Sequence, residues 1–388
     1  MYDQIREDPL YIMLYAVVIT MAMMASCYLL FRRANAIAPD ITPPLRLRRW
    51  TAAFFASLAL GHMWYMPLFF LTSPEDVRSY DLVGGLLDSL TVIPLEIAVL
   101  FVMLQDRQRP LWPIAVMLAP IIVVNAFTAA TLSYDLLLAL YVYSLLMCMG
   151  LMIYMVRALR QYGRWLRENY ADLEHKEVWQ TFVVLAIIML AFVIYAFTIK
   201  GVIYQYAMQL ITIVLICYLL WRVETLSDLS ISQQQSQMAA ELATVESEDA
   251  DHDELPQAIR DKIRTSLQQH CIDTRLYLQH DLTISQLSQA IGTNRTYLSQ
   301  YFSSQGLTYN AYINDLRINH FVSLYRENVA TQRSFTVYQL AKESGYSSYS
   351  TFCGIIKRKT GLSVTAWMKD IAPDLELREG SGGSLQTR

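Results

Sequence analysis

Charge is what this 388-residue chain has least of: Asp, Glu, Lys and Arg together make up 17% of it, against 54% hydrophobic residues. An ordinary soluble fold carries more charge than that, so a chain that is soluble throughout is disfavoured. Cysteine is scarce as well. Cys27, Cys148, Cys217, Cys271 and Cys353 stand singly, with no CxxC pair. This spacing offers neither a disulfide framework nor a zinc site, and it suits a reducing compartment for the C-terminal half. No HExxH motif or histidine cluster is present, no apolar stretch holds a lysine that would carry a retinal Schiff base, and no glycine-rich nucleotide motif follows the last apolar stretch. Metalloprotease, opsin and histidine kinase are thereby disfavoured. Neither a catalytic centre, a metal nor a cofactor is expected. Positive charge is missing altogether from residues 223–255, which hold 9 Asp/Glu and no Lys or Arg, while residues 258–370 hold 13 Lys/Arg and 7 Asp/Glu.

What the chain does have is long apolar runs. Seven fill its first 221 residues, at 10–31, 50–71, 82–104, 111–132, 136–156, 178–199 and 202–221. Each approaches the ~20 residues needed to cross ~30 Å of hydrocarbon. The first is followed by Arg32-Arg33, a stop-transfer pattern rather than a cleavable signal peptide. With the N-terminus outside, the inner loops hold twelve Lys/Arg and the outer segments only Arg6, Arg78 and Lys200. That bias orients the bundle, and seven crossings then put the C-terminal part in the cytoplasm.

Ionisable groups inside spans are costly and mark candidate sites. They are His62 in the second span and Asp88 and Glu96 in the third, with Asn125 as a polar companion in the fourth. Pro67, Pro94 and Pro120 lie in the same three spans, where kinks can open a cavity. A signal-sensing polar pocket and plain interhelical hydrogen bonding are both open readings. Beyond the last span, 222–245 is compatible with a helical stalk, and 246–255 is an acidic linker expected to be disordered.

The C-terminal part repeats a bihelical pattern. Ile284, Leu287 and Gly292 recur 53 residues later as Val337, Leu340 and Gly345; Leu298 and Phe302 recur 54 later as Phe352 and Ile356. The spacing predicts a short helix, a glycine turn and a second helix capped by Asn294 or by Ser347 or Ser348, with one extra residue in the second turn. Such a unit projects its second helix into the major groove.

On the stretches LTISQLSQAIGTNRTYLSQYF, TYNAYINDLRINHFVSLYRE and TVYQLAKESGYSSYSTFCGIIKRKTGLSVTAWMK, residues 258–370 resemble the AraC/XylS family of transcription regulators. The whole chain looks like membrane-anchored members of that family. The resemblance implies two motifs joined by a long helix and entering adjacent major-groove segments. It implies that Arg295, Thr296, Ser299 and Gln300 face base edges from the first reading helix. From the second come Tyr349, Ser350 and, less centrally, Cys353. Lys357, Arg358 and Lys359 are expected on phosphates. Gly354, mid-helix, costs about 1 kcal/mol relative to alanine, so sequence reading is expected mainly from the first motif.

The fold expected is all-α: a seven-helix transmembrane bundle (1–221), a helical stalk and acidic linker (222–255), a small all-α DNA-binding domain with two helix-turn-helix motifs (256–371) and a disordered tail (372–388). The function expected is a one-component regulator in a bacterial inner membrane that couples an envelope or lipophilic signal to promoter DNA. Ligand identity stays open, and so does a homodimeric state. The alternative is a membrane anchor or adaptor whose degenerate helix-turn-helix domain binds protein.

Overall fold

The computed structural model describes residues 8–32, 35–39, 41–131, 135–187, 202–229 and 256–371. Contacts divide the chain into two units. One comprises residues 1–163 and 175–231, the other residues 164–174 and 232–388.

The first unit is a multi-pass helical membrane region. Its helices are α1 (Pro9–Phe31), α2 (Leu45–Tyr65), α3 (Pro74–Leu90), α4 (Val92–Met103), α5 (Trp112–Thr131), α6 (Leu137–Asn169, whose last turns join the second unit) and α7 (Val202–Thr225). With α3 and α4 taken as one interrupted rod, six among the described residues are long and apolar enough to cross a membrane. Helices suit that solvent because every backbone group is satisfied within the segment. The remaining expected span, 178–199, is helical at 179–187 and otherwise lies outside the described residues.

Two of the three span prolines interrupt their rods. Pro94 has no N–H for the Leu90 carbonyl and its ring crowds that oxygen. The rod breaks at Thr91 (φ −126°, ψ −64°), whose hydroxyl donates back to the Leu87 carbonyl at 2.8 Å. Pro67 turns the end of α2 into a 3-10 segment, Met66–Phe69. Pro120 sits inside an unbroken α5.

Within this unit α1 packs on α2 and α7, α2 on α4, and α3 on α5. Buried Ala22, Ala25 and Ala52 let the α1 and α2 backbones approach, and Ser26 Oγ donates to the Ala52 carbonyl at 2.8 Å. The third span begins at Pro74 rather than 82, and the second at Leu45 rather than 50. In the latter case charge is tolerated because Arg48 is buried and paired: its Nε lies 3.2 Å from Glu224 Oε1, and it also donates to the Arg32 carbonyl at 2.6 Å.

The helix-compatible stretch after Arg222 stays helical only to Thr225. Beyond it the backbone is taken by other partners. Ser227 N–H donates to the His175 carbonyl and Asp228 N–H to that of Thr42, both at 2.9 Å. Leu229 N–H donates to Gln105 Oε1 at 2.9 Å. The expected stalk and acidic linker from 230 to 255, and the tail from 372, lie outside the described residues. The fifth span also runs longer than expected, since α6 continues without a break to Asn169.

The second unit is a small all-α domain: α8 (Gln257–Leu267), α9 (Ile284–Ala290), α10 (Arg295–Ser304), α11 (Tyr309–Ala330), α12 (Val337–Glu343), α13 (Tyr349–Thr360) and α14 (Val364–Ile371). It has two cores. Ile284, Leu287, Leu298 and Phe302 anchor the first, and Leu340, Phe352, Ile356 and Trp367 the second. The long α11 gives Tyr309 and Ile313 to the first core and Ile318, Phe321 and Tyr325 to the second.

Between the two halves of α11 sits Arg317, only 1% exposed. It donates to the carbonyls of Tyr277 (2.8 Å), Gln279 (2.6 Å) and His280 (3.2 Å). Its guanidinium carbon also lies 5.7 Å from the centre of the Tyr346 ring. Gly345, at φ +90°, closes the same junction. A Cβ there would stand 2.8 Å from the Leu278 carbonyl oxygen.

Cys271 lies fully inside the first core, and burial pushes its thiol up to about 11. Near neutral pH its thiolate fraction is then roughly one in ten thousand. We expect alkylation of the folded chain to label half-buried Cys353 and to spare Cys271 until the domain is denatured, as read by peptide mass mapping. Labelling of both at equal rates in the native protein would contradict this packing.

Candidate nucleic-acid interface

The first helix pair starts on Thr283, whose side chain accepts from Gln286 N–H while the Gln286 side chain takes the Thr283 N–H, a reciprocal capping box. Thr336 and Gln339 repeat the device at the start of α12. The connecting turns pass through Gly292 (φ +67°) and Gly345 (φ +90°). Asn294 then caps α10 by accepting from Tyr297 N–H at 2.7 Å, and Ser348 caps α13 by accepting from Thr351 N–H at 3.2 Å. The second turn is one residue longer, as the offsets of 53 and 54 require.

On α10, Leu298 and Phe302 face the core while Arg295, Thr296 and Gln300 are exposed and Ser299 is half-buried. On α13, Phe352 and Ile356 face the core while Tyr349, Ser350, Lys357, Arg358 and Lys359 are exposed and Cys353 is half-buried. Lys359 pairs with Asp315 at 2.5 Å, with both side chains nearly half exposed. Gly354 is exposed, and a Cβ there would meet nothing within 4 Å. No close packing therefore requires a glycine at that position.

The exposed ends of α10 and α13 are in contact with residues 169–174, which belong to the same unit. Arg295 Nη2 donates to Asn169 Oδ1 at 2.6 Å. Glu174 accepts from Ser348, from Ser350 at 3.0 Å and from Thr351, and Asp172 accepts from Ser347.

In the membrane unit, His62 Nδ1 lies 2.9 Å from the Leu58 carbonyl and Nε2 lies 3.2 Å from Gln209 Oε1 of α7, with the Tyr15 ring 5.0 Å away. Asp88 accepts from Tyr65 Oη at 3.0 Å. Glu96 is exposed on the bundle surface and Asn125 is half-buried. His62 thus meets Tyr15 of α1 and Gln209 of α7, and Asp88 of α3 is near enough to interact with it electrostatically. Tyr11, Tyr15 and Gln209 extend this polar and aromatic cluster, with Tyr11 Oη donating to Gln205 Oε1 at 3.2 Å. These partners are neutral, so the pattern of charged residues in the spans does not mark them. Among the described residues no group of three or more His, Cys, Asp or Glu is placed to hold a metal ion.

A family model described as a helix-turn-helix domain matches residues 287–370. The C-terminal unit carries a helix-turn-helix domain. Such a domain binds; it does not catalyse. The match runs from within α9 to within α14, and no curated protein and no solved structure matches the chain.

Two features of this domain went unread in the sequence although signals for them exist. The T-x-x-Q spacing at 283–286 and 336–339 announces both capping boxes. Arg317 interrupts the i, i+4 apolar row Ile313–Phe321, and an arginine on a buried row needs acceptors.

Proposed function

We propose that the protein is a one-component, membrane-bound, sequence-specific DNA-binding regulator of transcription, of the AraC/XylS kind. It resides in a bacterial inner membrane with seven crossings, its N-terminus outside and its helix-turn-helix domain in the cytoplasm. The observation that carries this reading is one chain joining a helix-turn-helix domain to helices long enough to span a bilayer. Both helix pairs meet the major groove. Arg295, Thr296, Ser299 and Gln300 read bases from the first, Tyr349 and Ser350 add contacts from the second, and Lys357, Arg358 and Lys359 hold phosphates. The capped helix starts and the exposure of these side chains support that assignment. The signal is an envelope or lipophilic one, and His62, Asp88, Glu96 and Asn125 are the candidate positions that receive it.

Genome-wide DNA crosslinking of the full-length protein in its membrane tests the reading, and discrete promoter peaks are expected. Binding of the purified chain to DNA is expected to weaken steeply with salt, with a log–log slope of about −0.9 per phosphate neutralised. An inserted, abundant protein that gives no peaks and no salt-dependent DNA binding is instead an adaptor that binds protein.

A further inference from the structure

The face assigned to DNA is already occupied by a piece of the same chain. Residues 168–174 read Glu-Asn-Tyr-Ala-Asp-Leu-Glu and continue directly from α6. Asn169 offers its amide oxygen to the Arg295 guanidinium, as a base edge would. Asp172 and Glu174 present carboxylates to Ser347, Ser348, Ser350 and Thr351 around the first turn of α13. Hydroxyls and a helix start are what a DNA phosphate contacts, and a carboxylate satisfies the same donors.

The segment is firmly seated. Ala171 is 1% exposed within the first core, and its N–H donates to the Leu282 carbonyl at 3.2 Å. Its carbonyl accepts from Asn310 at 2.7 Å and from Asn314 at 3.1 Å. Tyr170 forms a one-residue antiparallel bridge with Thr283. Asp172, 3% exposed, is buried where it meets the second helix pair. One short strap thus touches the leading end of α10 and that of α13.

We propose that residues 169–174 are an autoinhibitory cover, an acidic mimic of the DNA backbone that must leave both helices before the domain binds. Glu168, Asp172 and Glu174 put negative charge where phosphates would arrive, so the covered state repels DNA as well as blocking it. Because the strap continues α6 in the chain, a displacement of that helix acts on it with no intermediary. This inference rests on the DNA-binding reading above.

The test measures the affinity of the full-length protein, in detergent or nanodiscs, for a random-sequence duplex at fixed low salt. It compares wild type with Glu174→Ala and with Asn169→Ala/Glu174→Ala. An open state populated at 10% or less lets its release tighten apparent binding by about tenfold or more. Tenfold tighter binding by the double variant, with Cys271 still protected from alkylation, is the expected result. Wild type and variants binding equally well overturns the cover and leaves the DNA reading standing. No DNA binding by any of them overturns both.

A second measurement needs no variant. Hydrogen exchange of the Ala171 amide in wild type is expected to be slow without DNA and fast when the duplex saturates the protein. Protection that persists in the DNA-bound chain overturns the cover.

Discussion

Replacing Arg317 by methionine is expected to destabilise the C-terminal unit by about 3 kcal/mol. The three carbonyls it serves, those of Tyr277, Gln279 and His280, lose their donor; the bond to Tyr277 is buried and the other two are partly buried. Each unsatisfied buried acceptor costs roughly 1–3 kcal/mol. Methionine fills much of the volume and removes a buried cation, which offsets part of that sum. The guanidinium is a fork whose donors diverge, whereas lysine brings one point charge. Arg317→Lys is therefore expected to recover only part of the loss. Burial lowers the pKa of Arg317, with the rings and carboxylates around it opposing the shift; it stays charged near neutral pH. The measurement is the temperature at which Cys271 becomes alkylated in the full-length protein, which reports this unit alone. A loss of 3 kcal/mol lowers that temperature by roughly 10–20 °C in a domain of this size. A shift of a degree or two would mean that the three carbonyls find water, and that the junction between the cores is not held by Arg317.

That junction also shows where the sequence was legible and where it was not. Periodicity located the apolar helices because a bilayer leaves the chain little choice. It located the paired short helices because their core residues recur at offsets fixed by the turn length. It did not place the ends of the rods. The break at Thr91 follows from Pro94, but the early start of α2 depends on Arg48 meeting Glu224, 176 positions away in the chain. The end of α7 at Thr225 depends on acceptors at Thr42 and His175. The strap at 169–174 is the extreme case. Its composition reads as an ordinary polar loop, and only the fold brings Asn169 to Arg295 and Glu174 to Ser348. Local pattern specifies elements, while partners far apart in the chain specify where elements stop and what lies against them.

The same distinction shapes the second large effect. Arg295→Ala/Gln300→Ala is expected to weaken binding to a cognate promoter site by a factor between ~30 and ~20,000, since each bidentate contact to a base is worth about 1–3 kcal/mol. On a random-sequence duplex the loss should be small. Arg295 is also the residue tied to Asn169, so its removal loosens the strap and partly compensates there. Lys357→Ala/Arg358→Ala/Lys359→Ala should behave in the opposite way. It weakens cognate and random DNA alike and reduces the salt slope by about 2 to 3, one phosphate each. Lys359 contributes the least of the three, because Asp315 already holds it at the surface. Competition binding on both DNAs across a salt series separates the two behaviours. Equal losses on cognate and random DNA for the Arg295/Gln300 pair would move Arg295 to the phosphates. The reading of bases would then pass to α13, where Tyr349 and Ser350 stand exposed beside the Glu174 carboxylate that holds Ser350.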